Sequence, residues 1–168
     1  GSCLPKDLRA FLAVADAKGV TLPMLKSVLP SNQHQIERGL NMVLNESAHR
    51  IGFYGLAFKP GTDDLRESPH VELAERLLGK GKELLVHDKN VQVSRLIGKN
   101  KSVIESKFPH LASCMVGKVD ELLSCDVVLL CHKPSDEFLD SLLEKGIRLV
   151  DFTGELSQFD SSLISSVV

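Results

Sequence analysis

The 168 residues are 43% hydrophobic and 25% charged, enough for one well-formed core with a smaller helical appendage and no need of disulfide staples. Twenty Lys and Arg against 22 Asp and Glu leave a formal charge of −2, and no basic run is dense enough to follow a phosphate backbone, so nucleic acid is not an expected partner. No apolar stretch approaches the roughly 20 residues of a membrane span, and no charged segment leads into an apolar one at the start, so the expectation is no membrane partner and a soluble, cytoplasmic chain.

Residues 5 to 45 read as helices. Leu8, Phe11, Leu12 and Ala15 make one face of the first, with Pro5 in its first turn and Gly19 at its end. A second begins near Pro23 and carries Leu25, Val28, Leu29, Ile36, Leu40, Val43 and Leu44 at spacings of three, four and seven. Pro30 should kink or interrupt it. Two helices cannot bury both faces by themselves, so this segment is expected to find a partner.

From Arg50 the pattern changes. The runs RIGFYGLAF, ELLVHD, DVVLLC and IRLVDF are short and rich in Val, Ile, Leu and Phe, as strands buried on both sides are. Helices are expected between them at about 69–80, 91–98, 101–107, 119–124 and 136–145, with a weaker strand near SCMVG. Strand alternating with helix predicts an α/β fold, a Rossmann-like, mostly parallel open sheet wound right-handedly. The serine-rich SQFDSSLISSVV reads as a frayed terminus or a last helix. The expected division is residues 1–48 for the helical segment and 49–168 for the sheet domain.

Such a sheet holds ligands outside the carboxyl ends of its strands. The segment after the first strand reads GLAFKPGTDDLRESP, with Gly52, Gly55 and Gly61 at the wrong spacing for G-x-G-x-x-G. It is a poor dinucleotide site, yet it sets Lys59 and Arg66 before a helix with Ser68 as N-cap and Pro69 at the first helical position, an arrangement suited to an anion. Asp88 ends the second strand and reads as a turn former rather than a ribose holder. Cys114, Cys125 and Cys131 read as buried small hydrophobes. The four cysteines and six histidines show no ligand spacing, so no metal is expected.

Two motifs, CLPKD opening the helices and GLAFKPGTDDLRESP after the first strand, together resemble the nucleotide-sugar 6-dehydrogenases, the family of UDP-glucose and GDP-mannose dehydrogenases. GTDDLRESP and NKSVIESKFPHL are more similar to the GDP-mannose type, and DFTGE lacks the arginine that UDP-glucose enzymes carry after the last strand. The resemblance implies a C-terminal piece: the end of a catalytic segment, the central dimerisation helices, and a second α/β domain that binds the nucleotide sugar. The NAD-binding domain of the family would lie outside it, and the piece alone would be inactive.

The same resemblance implies the roles of individual residues. Cys3 would be the nucleophile that holds the aldehyde between two oxidations of a C6 alcohol, as a thiohemiacetal and then a thioester, placed ahead of a helix N-terminus and beside Lys6. Lys6 and Arg66 would contact NAD, Asp7 would orient water or carry protons, and Phe58 and Lys59 would contact the GDP-mannose or UDP-glucose substrate. The product would be a uronic acid nucleotide for polysaccharide synthesis. Three other readings stand beside this one: surface charges with no role at Lys6, Asp7, Lys59 and Arg66; a non-catalytic module that dimerises through residues 5–45; and a response-regulator-like domain, which would need acids where the chain has LAFK.

Overall fold

A computed structural model describes residues 3–91, 109–156 and 162–167. Helix α1 (Cys3–Ala17) and helix α2 (Pro23–Asn45) come first. Cys3, the first residue described, is already helical, so it lies within α1 and not ahead of it. Of the kink or interruption expected at Pro30, the interruption does not occur: helix α2 continues through it, since proline removes one donor and the turns on either side continue. Asp16 and Lys26 pair across the two helices at 2.7 Å.

Five strands follow: β1 (Arg50–Tyr54), β2 (Glu83–His87), β3 (Val127–Leu130), β4 (Arg148–Asp151) and β5 (Ile164–Ser166). They form one sheet in the order β2-β1-β3-β4-β5, every pair parallel. This is a doubly wound order whose direction reverses between β1 and β3. Helix α3 (Pro69–Gly79), helix α4 (Pro109–Cys114), a 3-10 helix at Val119–Ser124 and helix α5 (Asp136–Glu144) make the connections.

Alternation along the strands feeds two cores. Ile51, Phe53, Val127, Leu129 and Val150 face one side with Val71, Ala74 and Leu77 of α3. Val128, Leu130 and Leu149 face the other with Phe138, Leu139 and Leu142 of α5 and Leu122 of the 3-10 helix. Both faces of β3 are buried, which is why its sequence is a continuous apolar run.

The second half of α2 belongs to the first core. Leu40 and Val43 are buried in it, each worth roughly 2 kcal/mol of apolar burial. Gly39 makes that approach possible: a Cβ there would lie 2.6 Å from the Phe152 ring. Gln35 Nε2 also donates to the Val167 carbonyl at 2.8 Å. Helix α1 buries only Ala15, and Phe11, on the same apolar face, is 56% exposed, as expected of a segment that seeks a partner.

Two expectations change further along. The weaker strand near SCMVG reduces to a single parallel bridge from Met115 to Val86, following the short α4, which the sequence pattern does not mark. In the serine-rich end the described residues 162–167 carry the edge strand β5 in place of a helix. The helices expected at 91–98 and 101–107 lie outside the described residues, apart from Val91.

Candidate functional site at the carboxyl edge of the sheet

The turn after β1 is held by hydrogen bonds at its three amides, Gly55 to Ala57, and at the carbonyls of Leu56 and Ala57. Gly55 N donates to the His87 carbonyl at 2.8 Å. Leu56 N and Ala57 N both donate to Asp88 Oδ2, at 2.8 and 3.0 Å, while Asn90 N and Val91 N donate to its Oδ1. Ser68 Oγ donates to the Leu56 carbonyl at 2.8 Å. The Ala57 carbonyl receives His132 Nε2 at 2.9 Å and His70 Nδ1 at 3.1 Å. Gly55 has φ +95°, and a Cβ on it would lie 2.4 Å from the His132 ring, so both backbone and space require glycine.

This explains why the turn is no dinucleotide cradle. In such a cradle the N–H groups point at phosphate; here those of Leu56 and Ala57 are spent on a buried carboxylate. Asp88 is therefore a turn former, as the missing glycine fingerprint suggests. Ser68 holds the N-cap position before Pro69, but its hydroxyl ties down Leu56 rather than capping α3.

Beyond the clamp the loop opens outward. Phe58 N donates to the Asp64 carbonyl, and the exposed Lys59 places Nζ 5.4 Å from the Phe58 ring centroid, a cation–π contact. Arg66 grips Asp64 with two bonds of 2.9 Å. That pairing holds the Asp64 carboxyl below its usual range and raises Arg66. Glu67 takes φ +50°, turning the chain into α3.

Helix α1 brings the first motif to this loop. Cys3, Lys6 and Asp7 are exposed and lie three and four positions apart, on one helical face. Lys6 Nζ and Asp7 Oδ1 are 3.4 Å apart. Arg9 bonds Glu67 at 2.6 Å, joining helix to loop, and the Cys3 sulfur lies within electrostatic reach of the Arg66 guanidinium. Between α1, α2 and α3 runs a cleft of about 740 Å³ floored by Leu29, Ile36, Leu65 and Val71 and rimmed by Arg9, Glu67 and Glu72. Four of the expected site residues, Cys3, Lys6, Asp7 and Arg66, thus share one neighbourhood. Phe58 and Lys59 stand earlier in the same loop.

His70 and His132 are not marked as site residues by any sequence motif. A histidine directly after a buried strand, at the point where strand order reverses, is the signal that could have found His132. Asp151 is a second structural carboxylate, fully buried at the end of β4. It accepts from Thr153 N, Thr153 Oγ1, Gly154 N and Leu156 N, and so shapes the DFTGE turn.

The thiols divide by environment. Cys3 is exposed; burial raises Cys114, pushes Cys125 up to about 12 and raises Cys131 as well. Labelling with a chromogenic disulfide at pH 8 should modify Cys3 rapidly and Cys114 slowly, with Cys125 and Cys131 reacting only on unfolding. Equal rates at all four would contradict this packing.

His70 gives a pH prediction. Burial, partly offset by the Ala57 carbonyl, lowers it from 6.5 to about 4. Between those values the unfolded chain binds more protons than the folded one, so stability falls as pH is lowered through that window. After screening at a partly exposed ring the loss should reach roughly 2 kcal/mol by pH 4. Urea melts of the chain and of His70→Asn should differ by that slope; parallel profiles would contradict it.

The β1–α3 turn does not enclose a dinucleotide diphosphate, because its amides are held by Asp88. Lys6 and Arg66 are exposed cations able to touch a diphosphate held elsewhere, whereas the turn amides are occupied. An open parallel sheet in this order, with a clamped loop at its switch point, defines a doubly wound α/β domain. Residues 52–151 match the UDP-glucose/GDP-mannose dehydrogenase family, UDP binding domain, and the chain belongs to that family.

A GDP-mannose 6-dehydrogenase of Pseudomonas aeruginosa is 45% identical over 157 residues, 92% of this chain and 36% of that protein. A UDP-glucose 6-dehydrogenase of the same organism is 42% identical over 120 residues, 68% of this chain and 24% of that protein. The crystal structure of a ternary complex of GDP-mannose dehydrogenase from Pseudomonas aeruginosa superposes with a TM-score of 0.91 at 43% identity, covering 99% of this chain and 39% of that one. The chain spans little more than a third of these GDP-mannose relatives. Among the described residues, no helix is long and apolar enough to cross a membrane.

Proposed function

We propose that this chain forms the C-terminal part of an NAD-dependent dehydrogenase that oxidises the C6 alcohol of GDP-mannose to GDP-mannuronate. Residues 1–48 would supply the end of the catalytic segment and the dimerisation helices, and 49–168 the nucleotide-sugar-binding domain. The observation that carries the reading is the tie between the two motifs: the Cys3–Lys6–Asp7 turn is joined to the β1–α3 loop through Arg9 and Glu67. Similarity to GDP-mannose enzymes over 92% of the chain, against 68% for a UDP-glucose enzyme, favours the first substrate.

In this reading the Cys3 thiolate adds to the aldehyde carbon and holds it as a thiohemiacetal. Loss of hydride from that carbon gives a thioester, and water oriented by Asp7 cleaves it to carboxylate, returning the thiolate. NAD, when bound, accepts the hydride of each oxidation. Lys6 and Arg66 would contact the cofactor, and Phe58 would offer a ring and Lys59 a charge to the nucleotide sugar. The chain alone is inactive and acts in the cytoplasm only as part of the longer enzyme, which supplies uronic acid nucleotide for polysaccharide synthesis.

Assay of that longer enzyme should yield two NADH per GDP-mannose consumed, with no free aldehyde. One NADH per sugar, or a preference for UDP-glucose, would overturn the proposal.

Homodimerisation is part of the same reading. Leu4, Phe11, Val14, Val20, Met24 and Val28 are exposed, between 37% and 82%, along α1 and the start of α2. An apolar patch of this kind favours a second copy. Sedimentation equilibrium that finds only monomer at high concentration would remove the dimer from the proposal.

A further inference from the structure

We infer that His70 and His132 are positioning residues that aim the β1–α3 loop by holding the Ala57 carbonyl between two imidazoles. The inference rests on the nucleotide-sugar reading only for what the loop presents, Phe58 and Lys59; the holding itself rests on geometry. The two rings stand edge to face, 6.0 Å between centroids at 76°, one from the start of α3 and one from the end of β3. A carbonyl only accepts, so each facing nitrogen carries its hydrogen: Nε2–H on His132 and Nδ1–H on His70.

The surroundings serve the same end. Ala57 is fully buried, so its carbonyl needs protein donors. Gly55 lacks the side chain that would occupy the place of the His132 ring. With Leu56 O held by Ser68 and the two amides held by Asp88, the Ala57 carbonyl is the last hinge before the chain turns outward at Phe58. Fixing it sets the direction in which Phe58 and Lys59 leave the sheet. Both histidines act on the loop through the Ala57 peptide.

The test has an arm that needs no ligand. Ring-nitrogen NMR of the chain should find the Nε2–H tautomer at His132 and Nδ1–H at His70; the opposite tautomer at either would overturn the inference. Amide exchange at Phe58, whose N–H is bonded to the Asp64 carbonyl, should quicken at least tenfold in His132→Ala. Amides of β3 and β4 should be unchanged, and His132→Gln, which keeps a side-chain N–H, should restore Phe58. A uniform loss of protection across the sheet, or no rescue by glutamine, would reduce the histidine to a packing role and overturn the inference.

GDP-mannose titration then separates the two readings. A tenfold weaker Kd in His132→Ala, recovered in His132→Gln, supports both. Absence of binding to the unaltered chain counts against the nucleotide-sugar reading, while the tautomer and exchange results still decide the positioning role.

Discussion

Asp88→Ala is expected to destabilise the chain by about 3–5 kcal/mol, lowering the melting temperature by roughly 10 °C or more. The carboxylate is 3% exposed and its two oxygens accept four backbone N–H groups, from Leu56, Ala57, Asn90 and Val91. Alanine leaves all four without their acceptor at once. Each buried, unsatisfied amide costs roughly 1–3 kcal/mol, and water entering the space recovers part of the total. Asp88→Asn keeps one acceptor oxygen but turns an amide N–H₂ toward donors, so it should fall between the two. Denaturant titration checks the series, and a loss below about 1 kcal/mol in the alanine variant would contradict the clamp.

The second large effect is chemical. Cys3→Ser in the longer enzyme should reduce uronate formation by a factor of about 1,000 or more, because a serine hydroxyl stays protonated near neutrality and is a far poorer nucleophile than a thiolate. Cys3 is exposed at the start of α1 and lies in neither core, so the same change should leave the melting temperature within about a degree or two. Turnover above a tenth of the unaltered rate would remove Cys3 from the nucleophile's role. Melting and turnover falling together would point to a structural part instead.

The sheet is legible in the sequence because its strands are buried on both faces. β3 reads VVLL with all four residues covered, and burial on both faces is what turns a strand between helical segments into an unbroken apolar run. β5 is hidden for the opposite reason. It is three half-buried residues at an edge, Ile164 before two serines and paired on one side only, and so lacks the burial that produces a pattern. Phe11 fits the helical periodicity yet stays exposed, because periodicity identifies an apolar face without saying which neighbour covers it.

At the site, local motifs are readable and assembled ones are not. Cys3, Lys6 and Asp7 share a helical turn, so their spacing alone places them together. The clamp on Ala57 joins Gly55, His70, Asp88 and His132, residues from four elements spread over 78 positions. Nothing in the sequence aligns them until parallel pairing of β1 with β2 and β3 brings the strand ends side by side. Asp88 is readable as a turn former because the glycine fingerprint that accompanies a ribose-binding acid is missing.

Isothermal calorimetry of this chain against GDP-mannose, UDP-glucose and NAD, with Lys59→Ala beside it, tests the placement of the nucleotide-sugar site most directly. The expected result is measurable binding of GDP-mannose, weaker or no binding of the other two, and at least a tenfold loss in the variant. Undiminished binding in Lys59→Ala, a preference for UDP-glucose, or no heat with any of the three would contradict a nucleotide-sugar site on the β1–α3 loop.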